Sequence, residues 1–202
     1  MADDALTERR LDGQVVFQGS FLQVRRDRVA LPDGGEATRE YIVHPGAVAV
    51  LPLLDDGRVL LERQYRYPLG RVILEIPAGK IDAGEAPLAC AMRELREETG
   101  YSATEWARAG EIHNAAAYSD EVIHLYFARG LVEGAQALES GEFIELCAVG
   151  EAELDRMACS GEITDVKTLC ALQWLQRWRA GHWPLSWQAV DGSEDPPDHT
   201  AL

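Results

Sequence analysis

The sequence has no apolar run long enough to cross a bilayer, which takes about 20 residues as a helix. Its first ten residues are polar and carry charges of both signs, so they lack the apolar centre of a secretory signal. Cysteine is scarce as well, and the four thiols at positions 90, 147, 159 and 170 match no CxxC metal or redox pattern. We therefore expect a cytoplasmic protein with reduced thiols and no membrane partner.

Positive charge is also in short supply. The 202 residues include 19 Lys and Arg against 34 Asp and Glu, which gives a formal net charge of −15. Such a surface repels nucleic-acid phosphates, so we expect no nucleic-acid partner. The length and the 47% hydrophobic content suit one soluble domain, with or without a small additional layer.

Short β-rich stretches separated by turn residues fill the first half of the chain. Residues 47–54 are almost entirely apolar, as in a strand that is buried on both faces. A loop over residues 78–85 then leads into a predicted helix over residues 86–99, for which Gly100 is well placed as the C-cap. More strands and two C-terminal helices follow. This order predicts an α/β fold, with a mixed sheet covered by helices.

The predicted helix carries an acidic cluster. Glu94, Glu97 and Glu98 fall outside its apolar stripe and lie three or four residues apart, on what we expect to be an exposed side. Like charges at this spacing destabilise an isolated helix, although Arg93 offsets part of the repulsion. The cluster is either a solvated surface or a site for a hard divalent cation. The glycines of the preceding loop favour the second interpretation, because they let its carbonyls turn towards the same cation.

The spacing of a longer motif weakens the surface interpretation. Residues 79–101 read GKIDAGEAPLACAMRELREETGY and match the Nudix box, Gx5Ex7REUxEExGU, where U is a bulky apolar residue and Tyr101 takes the last position. The other matching positions are Gly79, Glu85, Arg93, Glu94, Leu95, Glu97, Glu98 and Gly100. The chain therefore resembles the Nudix hydrolases. RQYRYP at residues 63–68 and LEIPAGKID at residues 74–82 are similar to the ADP-ribose pyrophosphatase branch, as is REYIVHPGAVAVLPL at residues 39–53.

This resemblance implies a fold and a division of the chain. The fold is an α/β/α sandwich around a mixed sheet, preceded by a small N-terminal β-sheet subdomain. We expect that subdomain over residues 1–45, the Nudix domain over residues 46–183 and a C-terminal tail over residues 184–202. The resemblance also implies a homodimer, formed through the N-terminal subdomain, whose active site takes residues from both subunits.

The resemblance also implies a metal site. Glu94 and Glu98 are expected to bind Mg²⁺, with Glu97 close by and the backbone carbonyl of Ala78 completing the site. Two or more ions are expected, and Mn²⁺ is expected to substitute for Mg²⁺.

Substrate-binding residues follow from the same resemblance. Arg66 resembles an arginine that contacts the substrate, and Arg39 resembles one that the partner subunit contributes. We place Glu75 with this group. Tyr41 and Phe21 are either platforms that stack on a base or ordinary aromatic residues of a sheet.

Hydrolysis of a diphosphate needs a general base within hydrogen-bond reach of the attacking water. In the resembling branch this base is often a glutamate on a loop after the box, which makes Glu121 our candidate, with Glu97 and Arg93 as the other catalytic residues. Asp120 or a box glutamate is the alternative base. Glu121 and Asp120 could also simply begin the next strand from a solvated turn.

We expect the chain to hydrolyse the diphosphate bond of ADP-ribose or a related nucleoside diphosphate sugar. The products would be a nucleoside monophosphate (AMP) and a sugar phosphate (ribose 5-phosphate). The branch commonly has a proline where this chain has Asn114-Ala115-Ala116-Ala117, which leaves the preferred substrate open. The alternatives are hydrolysis of another derivative, such as a dinucleotide cofactor, and a non-catalytic ADP-ribose sensor, against which the complete set of box carboxylates argues.

Overall fold

A computed structural model of the chain describes residues 5–190, which fall into two units. The first unit contains the chain up to Pro45 together with His113–Glu121, and the second contains Gly46–Ile112 together with the chain from Val122 onwards. Residues 191–202, which form most of the predicted tail, lie outside the described residues, as do residues 1–4. No helix within residues 5–190 is both long enough and apolar enough to span a membrane.

The first unit is built on an antiparallel sheet of three strands in the order β1-β2-β3. The strands are β1 (Arg9–Gln18), β2 (Gln23–Ala30) and β3 (Glu36–Val43). The segment His113–Glu121 joins β3 through Ile42, whose N–H donates to the carbonyl of Tyr118 at 2.9 Å. The predicted N-terminal β-sheet subdomain is confirmed.

The second unit contains two further sheets. Its strands are β4 (Ala47–Pro52), β5 (Val59–Arg66), β6 (Arg71–Glu75), β7 (Ala78–Lys80), β8 (Ser102–Ile112), β9 (Ile123–Val132), β10 (Ile144–Val149) and β11 (Gln188–Ala189). One sheet has the order β10-β5-β6 and the other has the order β11-β8-β9-β4-β7. The pairing of β4 with β9 is parallel and the other pairings are antiparallel, so the predicted mixed sheet is confirmed.

Helices cover both faces of the five-stranded sheet. They are α1 (Pro87–Thr99), α2 (Glu151–Ser160) and α3 (Val166–Arg179). Because side chains alternate along a strand, Val48 and Val50 of β4 pack in the cluster that contains Leu95 of α1. Ala49 and Leu51 belong to the opposite cluster, which contains side chains of α2 and α3. The strand is therefore buried on both faces, as predicted, and the layers have the α/β/α order.

Both ends of α1 are fixed by local features. Pro87 lies in the first turn, where its missing N–H costs no helical hydrogen bond. Gly100 ends the helix with φ +77°, and its N–H donates to the carbonyl of Arg96 at 2.8 Å. The last carbonyls are used as well, since Glu97 accepts the N–H of Ala137 at 2.9 Å. The helix thus begins and ends within one residue of the predicted positions.

The segment before α1 differs from the prediction. Residues 78–80, predicted as the start of a loop, form the short strand β7 and pair with Ala47, Val48 and Ala49. An unpaired edge of β4 would leave buried backbone groups without partners, and β7 satisfies them. The loop proper is therefore shorter, and its start is held rigidly beside α1.

Candidate active site

Gly79 and Glu94 are placed against each other by β7 and α1. A Cβ atom at position 79 would lie 1.9 Å from the carboxylate carbon and Oε1 of Glu94. No side chain fits in that space, so the glycine leaves room for the carboxylate. The first residue of the motif is thereby explained by a glutamate on the following helix.

Arg93 binds the glutamates around it. Its Nε and Nη2 donate to Glu85 at 2.8 and 2.9 Å, and its Nη1 donates to Glu94 at 2.9 Å and Glu97 at 3.1 Å. The hydrogen bond from Arg93, assisted by one from the N–H of Asp82, lowers the pKa of Glu85 to about 2 despite partial burial. Arg93 therefore ties the loop to the helix and offsets the charge of three carboxylates.

Glu98 does not lie on an exposed side of α1, and this part of the prediction is wrong. Its residue is only 5% exposed, and Oε2 accepts the N–H of Ala78 at 2.9 Å. Glu98 is three residues after Leu95 and seven after Ala91, which places it on the same buried face. Burial, followed by the charges of Glu62 and Glu94, raises the pKa of Glu98.

Two cations surround the buried carboxylate of Glu75. The guanidinium of Arg66 donates to it from Nε at 2.7 Å and from Nη2 at 2.9 Å, and Lys167 donates to it from α3. Lys167 also bonds Asp165 at 3.0 Å. Burial disfavours the Glu75 carboxylate, but the hydrogen bond from Arg66 and the charges of Lys167 and Arg66 outweigh it, so the pKa is lowered. The structure thus joins two predicted substrate residues, Arg66 and Glu75.

Lys167 and Glu62 were missed by the sequence analysis. Glu62 is 1% exposed and pairs with Glu75 across β5 and β6, so both side chains lie on one face of that sheet. Burial, followed by the charge of Glu75, raises the pKa of Glu62. Neither residue belongs to a motif, and only the strand register and the packing of α3 bring them here.

Glu142 is a third residue that was missed. It lies two residues before β10, and its Oε2 accepts the N–H of Glu139 at 3.1 Å. Its negative charge acts on Glu62, Glu94 and Glu98. A single glutamate between a turn and a strand carries no signal in the sequence, so this proximity could not be predicted.

The acidic side chains of this unit fit a hard cation in kind, although no ligand cage is formed. Within residues 5–190, no three His, Cys, Asp or Glu side chains converge as a metal-binding group. Glu94 and Glu97 bond Arg93, and Glu98 bonds the N–H of Ala78. However, Oε1 of Glu62 is a buried acceptor to which no group of residues 5–190 donates a hydrogen bond. Carboxylate oxygens of this kind are the ligands that Mg²⁺ and Mn²⁺ take.

The remaining predicted residues belong to the first unit. Arg39 on β3 donates from Nε to Glu8 at 2.9 Å and from Nη1 to the carbonyl of Thr38 at 3.1 Å. The carboxylate of Glu121 lies 3.6 Å from Nε2 of His44. Asp120 accepts the backbone N–H of His44 at 2.8 Å. The roles predicted for Arg39, Glu121 and Asp120 stay predictions.

The two aromatic candidates of the first unit have different surroundings. The hydroxyl of Tyr41 donates to the buried Asp27 at 3.0 Å, and Arg10 binds the same carboxylate at 2.8 Å. Phe21 is exposed. Tyr41 therefore belongs to a polar cluster of the three-stranded sheet, which favours its interpretation as a sheet residue.

Comparison with known families and proteins agrees with this geometry. Residues 43–172 match the NUDIX domain model. The chain belongs to the Nudix family. Residues 8–42 match a second model, the nucleoside diphosphate sugar hydrolase N-terminal domain. The two models meet at β3 and together span both units.

Several curated proteins are similar to this chain over more than half of its length. An ADP-ribose pyrophosphatase of Bacillus subtilis is 37% identical over 174 residues, which cover 85% of this chain and 94% of that protein. A methanol dehydrogenase activator of Bacillus methanolicus is 38% identical, covering 84% and 92%. An ADP-ribose pyrophosphatase of Mycobacterium tuberculosis is 41% identical over 61% of this chain and 60% of its own length. The chain is a Nudix pyrophosphohydrolase.

A solved structure supports the Nudix fold independently of close sequence similarity. It is a crystal structure of an ADP compounds hydrolase, which superposes with a TM-score of 0.77 at 22% identity. The match covers 87% of this chain and 96% of the other.

Replacing Gly79 by Ala is expected to lower turnover of a diphosphate substrate by about 100-fold, because the new methyl group displaces the Glu94 carboxylate. The free energy of unfolding should change little, since the displaced group is the end of a flexible side chain. Gly150→Ala is the matched control, because a Cβ there meets nothing within 4 Å. Steady-state kinetics and thermal unfolding check both variants. Normal turnover of Gly79→Ala would show that Glu94 does not need this space.

Proposed function

We propose that this Nudix enzyme hydrolyses the diphosphate bond of ADP-ribose or a related nucleoside diphosphate sugar, with AMP and ribose 5-phosphate as products. The observation that carries the proposal is the similarity to the B. subtilis ADP-ribose pyrophosphatase, which extends over 94% of that protein. The match of residues 8–42 to the nucleoside diphosphate sugar hydrolase N-terminal domain supports the same substrate class.

We further propose that the reaction depends on Mg²⁺. Glu94, Glu97, Glu98 and the carbonyl of Ala78 would hold two or more ions, for which Mn²⁺ can substitute. Bound Mg²⁺ would neutralise the diphosphate and acidify the attacking water. The contribution of Arg93 is to hold Glu94 and Glu97 on one side of α1 before any ion arrives.

The other residues orient the substrate and move the proton. Arg66 is held by Glu75 in a two-pronged contact, which fixes its guanidinium for a phosphate or ribose oxygen. Water attacks one phosphorus, the bridging P–O bond breaks, and its electron pair leaves with the other phosphate. The general base takes the proton from the water.

A substrate panel tests the function. Purified enzyme with Mg²⁺ or Mn²⁺ is expected to convert ADP-ribose to AMP and ribose 5-phosphate, identified by mass, and to lose this activity after chelation. Preference for another nucleoside diphosphate sugar or a dinucleotide would redirect the substrate assignment. If no diphosphate in a broad panel is cleaved, the chain is not the hydrolase proposed, and binding of intact ADP-ribose would then indicate a sensor.

Besides Asp120 and the box glutamates, two further glutamates compete for the role of general base. Glu121 is the candidate from the sequence, and Glu142 is the candidate whose charge acts on Glu94 and Glu98. Gln at the position of the base should lower kcat by about 10²–10⁴-fold with little change in KM. Glu145→Gln, at an exposed position of β10, serves as the control. Kinetics of Glu121→Gln and Glu142→Gln in parallel decide between them. Near-normal turnover of either variant rejects that residue.

We also propose a homodimer in which Arg39 contacts substrate bound to the other subunit. Exposed apolar residues of the first unit, such as Val15, Phe17 and Phe21, support an interface there.

We propose the cytoplasm as the location of the protein. Its four cysteines are unpaired, in keeping with a reducing compartment, and cell fractionation would check this location.

Subunit complementation tests this arrangement. Arg39→Ala and Glu98→Gln subunits are expected to be inactive alone. Co-expressed with different tags and purified as a heterodimer, they should form one intact site out of two and recover about half of the wild-type activity. No recovery in a confirmed heterodimer would show that Arg39 acts within its own subunit, and a monomer in light scattering would reject the dimer.

A further inference from the structure

Glu62 is a buried carboxylate that the proposed function leaves unused. It is 1% exposed, and its Oε1 has no hydrogen-bond partner among residues 5–190. An isolated buried carboxylate costs several kcal/mol unless a proton or cation compensates it. A residue of this kind in the middle of a strand therefore requires a physical explanation.

The neighbouring cations do not supply that explanation. Arg66 and Lys167 both act on Glu62 electrostatically, but their hydrogen bonds go to Glu75. Lys167 is further engaged by Asp165. Among residues 5–190, Glu75 thus bonds two cations, whereas Oε1 of Glu62, directly opposite on the adjacent strand, bonds none.

The other neighbours of Glu62 add negative charge. Of the charged groups that raise the pKa of Glu98, Glu62 has the largest effect. The charge of Glu142 raises the pKa of Glu62 and of Glu98. Glu98 reaches the same region from α1, since its Oε2 accepts the N–H of Ala78, three residues after the Glu75 that lies directly opposite Glu62. Several carboxylate oxygens brought together are the kind of ligand set that a hard divalent cation takes.

We propose that Glu62 is an additional ligand for a divalent cation, which it shares with Glu98. The inference rests on the proposed metal dependence. It adds a buried ligand that comes from β5, whereas the other proposed carboxylate ligands come from α1. Because Glu62 is fixed by strand pairing on both sides, with Glu75 and Leu146, this ligand is rigid.

Direct metal binding tests the inference without relying on catalysis. Free Mn²⁺ is measured by electron paramagnetic resonance during titration of the full chain and of three variants. Glu62→Gln keeps the shape of the side chain and removes its charge, Glu98→Gln is the reference for a lost ligand, and exposed Glu145→Gln is the matched control. Glu62→Gln is expected to bind one Mn²⁺ fewer or to bind it at least about 10-fold more weakly, as for Glu98→Gln.

Folding of the variant is followed separately. The metal-free melting temperature of Glu62→Gln should equal or exceed that of the wild type, because an uncompensated buried carboxylate is removed. The increase in melting temperature on adding Mn²⁺ should be smaller. If Glu62→Gln fails to fold, its role is structural and the inference is overturned.

The remaining outcomes separate this inference from the proposed function. Mn²⁺ binding by Glu62→Gln with the number and affinity of the wild type overturns the inference and indicates a neutral or water-bound carboxyl at position 62. That result leaves ADP-ribose hydrolysis by the wild type untouched. Conversely, the wild type could cleave no diphosphate while Glu62→Gln still loses Mn²⁺. That result supports Glu62 as a metal ligand and rejects the proposed function. A wild type that binds no Mn²⁺ overturns the inference directly.

Discussion

The guanidinium of Arg93 bonds three carboxylates that would otherwise repel one another across a loop and a helix. Glu85 is drawn to it from the loop, and Glu94 and Glu97 from the helix itself. Because the guanidinium presents a rigid fork of donors, it fixes directions as well as charge. The same guanidinium holds the carboxylate of Glu94, which lies against Gly79 where β7 meets α1.

A second group of charged side chains surrounds Glu75. Glu75 is ionised because Arg66 and Lys167 pay its desolvation, whereas burial drives Glu62 and Glu98 towards their neutral forms. Carboxylates of both kinds thus lie within one unit of the fold. Glu75 holds the guanidinium of Arg66 in a fixed position, whereas Glu98 accepts one backbone N–H and Oε1 of Glu62 accepts none among residues 5–190.

The sequence predicted the box helix well because the period of a helix converts residue spacing directly into geometry. It also predicted that β4 is buried on both faces, since its apolar run allows no exposed side. The burial of Glu98 was missed although its spacing from Ala91 and Leu95 places it on the buried face. Its bond to Ala78 could not be predicted, because it depends on β7, a strand whose glycine-containing sequence resembles a loop. Glu62 and Lys167 were missed for a related reason. Each meets Glu75 through an element that is separate in sequence, and such contacts leave no local sequence pattern.

The ion pair between Glu75 and Lys167 joins two positions far apart along the chain, the end of β6 and the first turn of α3. During synthesis the carboxylate emerges from the ribosome long before its ammonium partner. A nascent or truncated chain that ends before α3 lacks this ammonium group and keeps Arg66 as a cation that can bond Glu75. The order of synthesis therefore makes the full compensation of the Glu75 charge one of the last events in building this unit, since it waits for α3.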